Sequence, residues 1–233
     1  MEIFYAPDIQ ISPFLFEEES FHCVKVLRHQ IGDVITICDG NGYFYKAKIL
    51  VADKHKCSIE IVETEFTVRR KHQLHIAISP TKNKERFEWF LEKATEIGID
   101  EITPILSTRT ERSKLNHERM NKILSGAMKQ SQRSYLPVLN EAKKYIDFIG
   151  ISTSQTTEKF ICHVDANNKQ TLKQKYSVGK SAFILIGPEG DFTNEEIELA
   201  IKNNFISVSL GENTLRTETA GIVACEQFSF INQ

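Results

Sequence analysis

One pattern is written twice near the C-terminus, and it constrains the chain more than any other feature. An apolar run, Phe183-Ile-Leu-Ile, ends at Gly187, and a second, Ile206-Ser-Val-Ser-Leu, ends at Gly211. A polar loop follows each, and then a stretch with helical spacing. Buried parallel strands read as such runs, and open α/β sheets bind ligands where loops leave the carboxyl ends of the strands. Gly187 and Gly190 carry no Cβ, so backbone can come close to a ligand there. Thr193 followed by Glu196 has capping-box spacing, which predicts a helix through Ile197, Ala200 and Ile201. Two strand–loop units side by side predict a pocket rimmed by main-chain N–H and C=O groups, which suits a heterocycle better than a metal. By spacing alone, two ordinary βα turns are an equally good reading.

At 233 residues, with 41% hydrophobic and 26% charged, the chain is expected to be a soluble globular protein of one or two domains. No apolar run approaches membrane-spanning length, and Met1-Glu-Ile-Phe-Tyr-Ala lacks the start of a signal peptide, so a cytoplasmic location is expected. Five scattered cysteines without a C-x-x-C pair read as buried free thiols, and the seven histidines lack metal-ligand spacing. The net charge of −2 divides unevenly. Residues 1–68 hold 6 Lys+Arg against 11 Asp+Glu, residues 69–133 hold 14 against 8, and residues 134–233 hold 9 against 12. A concentrated basic segment suits a polyanionic partner, although solvated helix faces also carry such charge.

The first domain is expected to span 1–70 as a small β-barrel. Val34-Ile-Thr-Ile-Cys leads into Asp39-Gly-Asn-Gly, a strong hairpin signal. Tyr43, Tyr45, Ala47 and Ile49 then alternate onto one side, and Lys56 to Val62 supplies a further strand. A helix is predicted over Glu18–Leu27 with Phe21, Val24 and Leu27 facing inward. The charged seam Arg69-Arg-Lys-His-Gln marks the boundary, and the second domain is expected over 73–233. There the pattern becomes strand and helix in alternation, which argues for a mostly parallel α/β sheet. Strands are predicted at Leu74–Pro80, Glu101–Leu106 and Lys159–Val164, the last with Asp165-Ala-Asn-Asn as its loop. Helices are predicted around Phe87–Ile97, ending at Gly98, and over Leu115–Gln130. Lys169–Lys180 reads as a surface connection.

No dinucleotide, P-loop, zinc-protease or nucleophile-elbow motif is present. Gly187-Pro-Glu-Gly could cradle phosphate, but Glu189 and Asp191 place two carboxylates there, a sign compatible with a cationic sulfonium ligand. Ile186-Gly-Pro-Glu-Gly together with Leu210-Gly-x-x-x-Leu-Arg-x-Glu-Thr-Ala resembles the C-terminal signature of the SPOUT methyltransferases. It is most similar to the family that methylates N3 of a uridine in 16S ribosomal RNA. The basic helix ending in Thr95-Glu-Ile-Gly, the strand Ile102-Thr-Pro and Gln130-Ser-x-Arg resemble that family's central segments, and Val26-Leu-Arg-His-Gln-Ile-Gly-Asp resembles its PUA-like barrel. Asp191 departs from the pattern, since many members carry a further glycine there, and Thr214 replaces a frequent aliphatic residue.

The resemblance implies an α/β fold with a SPOUT-type trefoil-knotted, mostly parallel sheet behind an N-terminal PUA-like small β-barrel. It implies S-adenosylmethionine as cofactor, held by Ile186, Gly187, Glu189, Gly190, Leu210, Gly211, Leu215 and Thr217. It implies no metal, 16S rRNA of the small ribosomal subunit as partner, and a homodimer. Removing the uracil N3 proton passes negative charge to the O2–N3–O4 edge, so a cationic donor would assist. Arg216 is the first candidate; Glu218 could act as base or hold an arginine. Arg28, Lys84, Arg86, Arg109, Arg112 and Arg133 are the candidate RNA contacts, with helix-face ion pairing as the bland alternative for Arg86. Two other functions fit the same residues less well: a ribosome-assembly factor with a vestigial pocket, and a related SPOUT methyltransferase acting on tRNA.

Overall fold

The computed structural model describes residues 2–111, 114–150, 157–164 and 170–233, so Arg112, Lys169 and the loop beginning at Asp165 lie outside the described residues. The chain divides into two compact units, residues 1–69 with 125–136, and residues 70–124 with 137–233. The segment Ser125–Leu136, read from sequence as part of the second domain, thus belongs to the first unit. Among the described residues no helix is long and apolar enough to cross a membrane.

The first unit is built on the expected hairpin. Strands β1 (Ile3–Tyr5), β2 (Val34–Cys38), β3 (Tyr43–Val51) and β4 (Ser58–Phe66) form a sheet in that order, β1 parallel to β2 and the rest antiparallel. Gly40 and Gly42 take φ of +76° and +105° in the β2–β3 turn. The Asp39 carboxylate closes that turn by accepting from the N–H groups of Asn41 and Tyr43 at 2.8 and 3.1 Å. Two register shifts in the β3–β4 pairing bend the sheet, as β-bulges do, and Pro13–Leu15 pairs with the start of β4 through Leu15 N–H to Cys57 O at 2.9 Å. Tyr45, Ala47 and Ile49 point into the core with Ile35, Ile37 and Phe4.

The helix before the hairpin departs from expectation. It runs as α1 (Glu17–Phe21) and continues as a π-turn over His22–Val26. The wider turn changes which side chains face inward. Phe21 is 51% exposed, whereas Ser20 and Cys23 are buried. Ser20 earns its place by bonding: its hydroxyl donates to Leu15 O and accepts from Cys57 N–H. Val24 and Leu27 do pack against the core.

The second unit holds a parallel sheet in the order β11-β9-β10-β5-β6-β7. Its strands are β5 (Leu74–Ile78), β6 (Glu101–Leu106), β7 (Val138–Leu139), β9 (Thr157–Cys162), β10 (Ser181–Ile186) and β11 (Ile206–Val208), with the short β8 (Lys143–Lys144) pairing β6. β10 is paired on both sides and helices cover both faces of the sheet there, so its side chains from Ala182 to Ile186 are all buried. On one face, Ala77, Ile161, Phe183 and Leu185 pack in a core with α4 (Tyr145–Ile149) and α6 (Asn194–Lys202). The other face carries α2 (Lys84–Ile97) and α7 (Thr217–Ile231), which pack on each other.

Local chemistry sets the ends of these helices. Asn83 caps α2 by accepting from Glu85 N–H at 2.8 Å, and the helix stops at Gly98 with φ +121°. Thr193 and Glu196 form the predicted reciprocal box at the start of α6. A second box, Thr171 with Gln174, starts a one-turn helix α5 (Leu172–Lys175) inside the stretch read as a plain connection, with Leu172 and Tyr176 buried. Helix α3 (His117–Gln130) buries Met120, Leu124 and Ala127 as its periodicity predicts, but Ile123 is only half-buried.

Candidate functional site

Strands β11, β9 and β10 lie side by side, so the residues that leave their carboxyl ends converge. Those residues, 162–164, 187–189 with 191, and 208–217, wall a cavity of about 800 Å³. Its position is where parallel α/β sheets place ligands.

The first wall is the loop after β10, and its glycines work differently from expectation. A Cβ on Gly187 would stand 3.1 Å from the ring of Phe192, and one on Gly190 would stand 3.3 Å from Arg109. Both glycines therefore make room for side chains of this protein. Gly187 still lines the cavity, whereas Gly190 does not; its carbonyl accepts from Arg109 Nη1 at 2.5 Å. Asp191 takes φ +62°, a left-handed conformation that glycine adopts freely and Asp tolerates. Its carboxylate accepts from Val164 N–H at 2.9 Å and from Phe192 N–H at 2.7 Å, which joins this loop to the end of β9. Glu189 accepts from Lys82 N–H at 2.9 Å. The two carboxylates expected to face a cation are thus also braces of the loop.

The second wall follows β11, which ends at Val208, two residues before the apolar run does. Gly211 has φ +152° and open space where a Cβ would point. The Ser209 hydroxyl donates to Gly211 O at 2.5 Å, and Gln227 Nε2 on α7 donates to Leu210 O at 3.0 Å. Leu215, Arg216 and Thr217 carry this wall into the first turn of α7, with Thr217 buried and Arg216 exposed.

Glu218 takes the other side of that turn. It is buried, does not line the cavity, and lies 3.8 Å from Nε of Arg86, with its second oxygen lacking a hydrogen-bond partner among the described residues. Arg86 therefore pairs across to α7 and not with a glutamate of its own helix.

Sequence reading missed the third wall, made by Cys162, His163 and Val164 with Thr171. His163 Nε2 lies 2.6 Å from Ser207 Oγ and so ties β9 to β11. Burial pushes the Cys162 thiol far above its usual range, and Asp191 adds to this, so it is an apolar surface and not a nucleophile. The signal was present in Lys159-Phe-Ile-Cys-His-Val, a strand ending level with its neighbours, but it carries no glycine to mark it.

The candidate RNA contacts divide between the two units. Arg28, with φ +61° and exposed, and half-buried Arg133 belong to the first unit. Exposed Lys84 begins α2, and Arg109 braces Gly190 in the second unit. Among the described residues no group of three His, Cys, Asp or Glu could hold a metal ion.

Comparison with known proteins agrees with this arrangement. Residues 68–229 match the family described as RNA methyltransferase domain, and residues 17–62 match the RNA methyltransferase PUA domain. The ribosomal RNA small subunit methyltransferase E of Rickettsia conorii is 30% identical, with 91% of this chain and 87% of that protein covered. This chain belongs to the ribosomal RNA small subunit methyltransferase E family.

A crystal structure of a probable rRNA-methyltransferase from Porphyromonas gingivalis is 40% identical and superposes with a TM-score of 0.94 over 100% of this chain and 98% of that one. A ribosomal RNA small subunit methyltransferase E from Neisseria gonorrhoeae, solved bound to S-adenosyl methionine, is 26% identical with a TM-score of 0.86 over 100% and 98% of the two chains. As a ribosomal RNA small subunit methyltransferase E family member, the chain is an rRNA methyltransferase of SPOUT-type α/β fold with an N-terminal PUA domain.

Proposed function

We propose that this chain transfers a methyl group from S-adenosylmethionine to N3 of a uridine in 16S rRNA of the small ribosomal subunit. The observation that carries the proposal is the cavity lined by Cys162–Val164 and by the loops after β10 and β11, with Arg216 in its wall. Its volume, about 800 Å³, is in the range that takes a cofactor-sized molecule. Its lining combines the apolar side chains of Ile186, Val208, Leu210 and Leu215 with the carboxylates of Glu189, Asp191 and Glu212 and loop main chain. That donor set suits a cation attached to a heterocycle and does not suit a phosphate.

When bound, S-adenosylmethionine supplies an electrophilic methyl group on a sulfonium cation. Ile186, Gly187, Glu189, Leu210, Gly211, Leu215 and Thr217 are the residues that would hold it, and Gly190 supports the first loop from behind through Arg109. Arg216 presents a cation where uracil must arrive and stabilises the negative charge that develops as N3 loses its proton. Glu218 is assigned a positioning role: buried beside Arg86, it fixes the first turn of α7 from which Arg216 projects. We also propose a homodimer with a trefoil-knotted cofactor site, in keeping with the family resemblance.

Calorimetric titration with S-adenosylhomocysteine tests the cofactor half. The ligand should bind without RNA and raise the melting temperature, since it selects the native state. Gly211→Val should abolish binding, because it strains a left-handed backbone and fills open space in the second wall. A folded Gly211→Val protein of unchanged affinity would remove that loop from the site. Mapping methyl groups on 16S rRNA after reaction tests the rest: modification at any atom other than uridine N3 would overturn the substrate assignment.

A further inference from the structure

The first unit carries a side-chain cluster that methyl transfer does not use. Where β3 begins and β4 ends, Tyr43 pairs with Phe66, and their rings lie 4.7 Å apart at 41°. Tyr135 lies on the other side of Gly42. A Cβ on Gly42 would stand 2.4 Å from the Tyr135 hydroxyl and 3.0 Å from the Phe66 ring, so only glycine lets the two rings flank this point of the hairpin. Gly42 also needs its φ of +105°, which closes the position to other residues twice over. The Tyr135 hydroxyl donates to Thr67 O at 2.8 Å, which fixes the ring, and the Arg69 guanidinium lies over that ring at 5.4 Å.

Tyr43 is anchored from behind, where it packs against the core and stacks on Tyr45 at 6.0 Å, and the other groups reach the surface. Phe66 is 51% exposed, Arg69 is exposed, and Tyr43 and Tyr135 are half-buried. The acids of β4 do not crowd them, since Glu63 and Glu65 alternate onto the opposite face of the strand and Glu63 pairs with Lys46 at 2.7 Å. An exposed, fixed aromatic ring beside a guanidinium plane that itself lies over a second ring is the chemistry that stacks unpaired bases. Paired bases stay inside a duplex and offer no face to such a surface.

We propose that Tyr43, Phe66, Tyr135 and Arg69 form a base-stacking platform for an unpaired stretch of the RNA substrate, an inference that rests on the RNA reading above. Bases lie against the rings, and the guanidinium over Tyr135 adds a planar cation on which a base can also lie. The platform therefore tolerates sequence and discriminates single strands from duplex.

The test compares binding of a single-stranded oligouridylate and an RNA duplex of equal length to wild type, Phe66→Leu and Arg69→Lys. The first variant keeps apolar bulk without a ring; the second keeps charge without a planar face. Each should weaken single-strand binding at least about fivefold, as loss of one stacked base does. The dependence of affinity on salt should keep its slope, because no phosphate contact is lost. Duplex affinity, melting temperature and S-adenosylhomocysteine binding should stay at wild-type values. Single-strand affinity unchanged in both variants would overturn the platform. So would an equal loss for both RNAs, which marks packing of the unit or a surface for a protein. Absence of rRNA methylation by wild type with stacking intact would sink the proposed function and spare the platform; methylation with stacking absent would do the reverse.

Discussion

Arg216 stands between two roles that a single substitution separates. It follows the second cavity wall directly, and its side chain is exposed at the start of α7 without capping the helix. A residue that only shaped the cofactor cavity would lower affinity when truncated. A donor aimed at charge that develops on the base would lower the chemical rate and leave affinity alone. Arg216→Ala should therefore bind S-adenosylhomocysteine within a few fold of wild type and lose turnover on the order of 100-fold, the scale of one such donor. Single-turnover methylation with saturating cofactor measures this, and a fully active variant would return Arg216 to a structural role.

His75 makes a prediction at the same scale about stability. Burial holds its pKa down at about 4, against a partly opposing pull from Glu101, 3.7 Å away, and with Lys143 reinforcing the depression. The ring stacks on Phe183 at 4.6 Å, and Nε2 lies 2.8 Å from Thr103 Oγ1. Between pH 6.5 and about 4 the unfolded chain binds a proton that the folded chain refuses. Stability from this group is complete above that window and falls as pH drops through it, with a slope approaching about 1.4 kcal/mol per pH unit. Urea unfolding of His75→Gln across that range should show a shallower acid limb, by about one proton.

At the scale of elements, the contact between α2 and α7 sets where the cavity's second wall ends. Gly221 lies where a Cβ would come within 2.5 Å of the Phe90 ring and 3.0 Å of Ile78 Cδ1. Helix propensity favours alanine over glycine by about 1 kcal/mol, but forcing a methyl into packed rings costs about 1–3 kcal/mol. Both neighbours are fully buried, so neither can turn aside, and the packing term should win. Gly221→Ala should lower the melting temperature and weaken S-adenosylhomocysteine binding together. A more stable variant would show that α7 can shift without cost.

Much of this was readable in sequence because it is local. Thr193 with Glu196, Asp39-Gly-Asn-Gly and the stripe of Phe87, Phe90, Leu91 and Ala94 each state their structure within a few residues. The π-turn after Phe21, the pairing of Arg86 with Glu218 and the third wall at Cys162–Val164 were not readable. Each depends on a partner far along the chain, and neither periodicity nor spacing records which distant residue arrives. Gly187 and Gly190 show the same limit in reverse. A need for small size was legible, but the neighbours that require it, Phe192 and Arg109, were not.

For the molecule as a whole, we propose that the basic segment 69–133 engages RNA first, and the structure separates its cations by what they already hold. Arg70 bonds the Asp100 carboxylate and Gly98 O, Arg119 grips Glu88, Lys129 pairs with Glu19, and Lys82, Lys93 and Lys122 pair with acids of the segment itself. Reversing any of these would disturb the fold or a helix face along with RNA binding. Lys71, Lys84 and Lys114 are exposed and make no ion pair among the described residues, so they can meet phosphate without giving up a partner. The triple variant Lys71→Glu, Lys84→Glu, Lys114→Glu should keep the wild-type melting temperature and cofactor affinity, because exposed charges contribute little to stability. Its affinity for small-subunit rRNA should fall, and the slope of log K against log salt should become shallower by about 0.7–0.9 for each phosphate contact removed. Filter binding between 50 and 200 mM salt, roughly the span over which counterion release changes affinity steeply, gives both quantities at once. An unchanged slope would mean that the segment's positive charge solvates its helices, and that RNA is held by other parts of the chain.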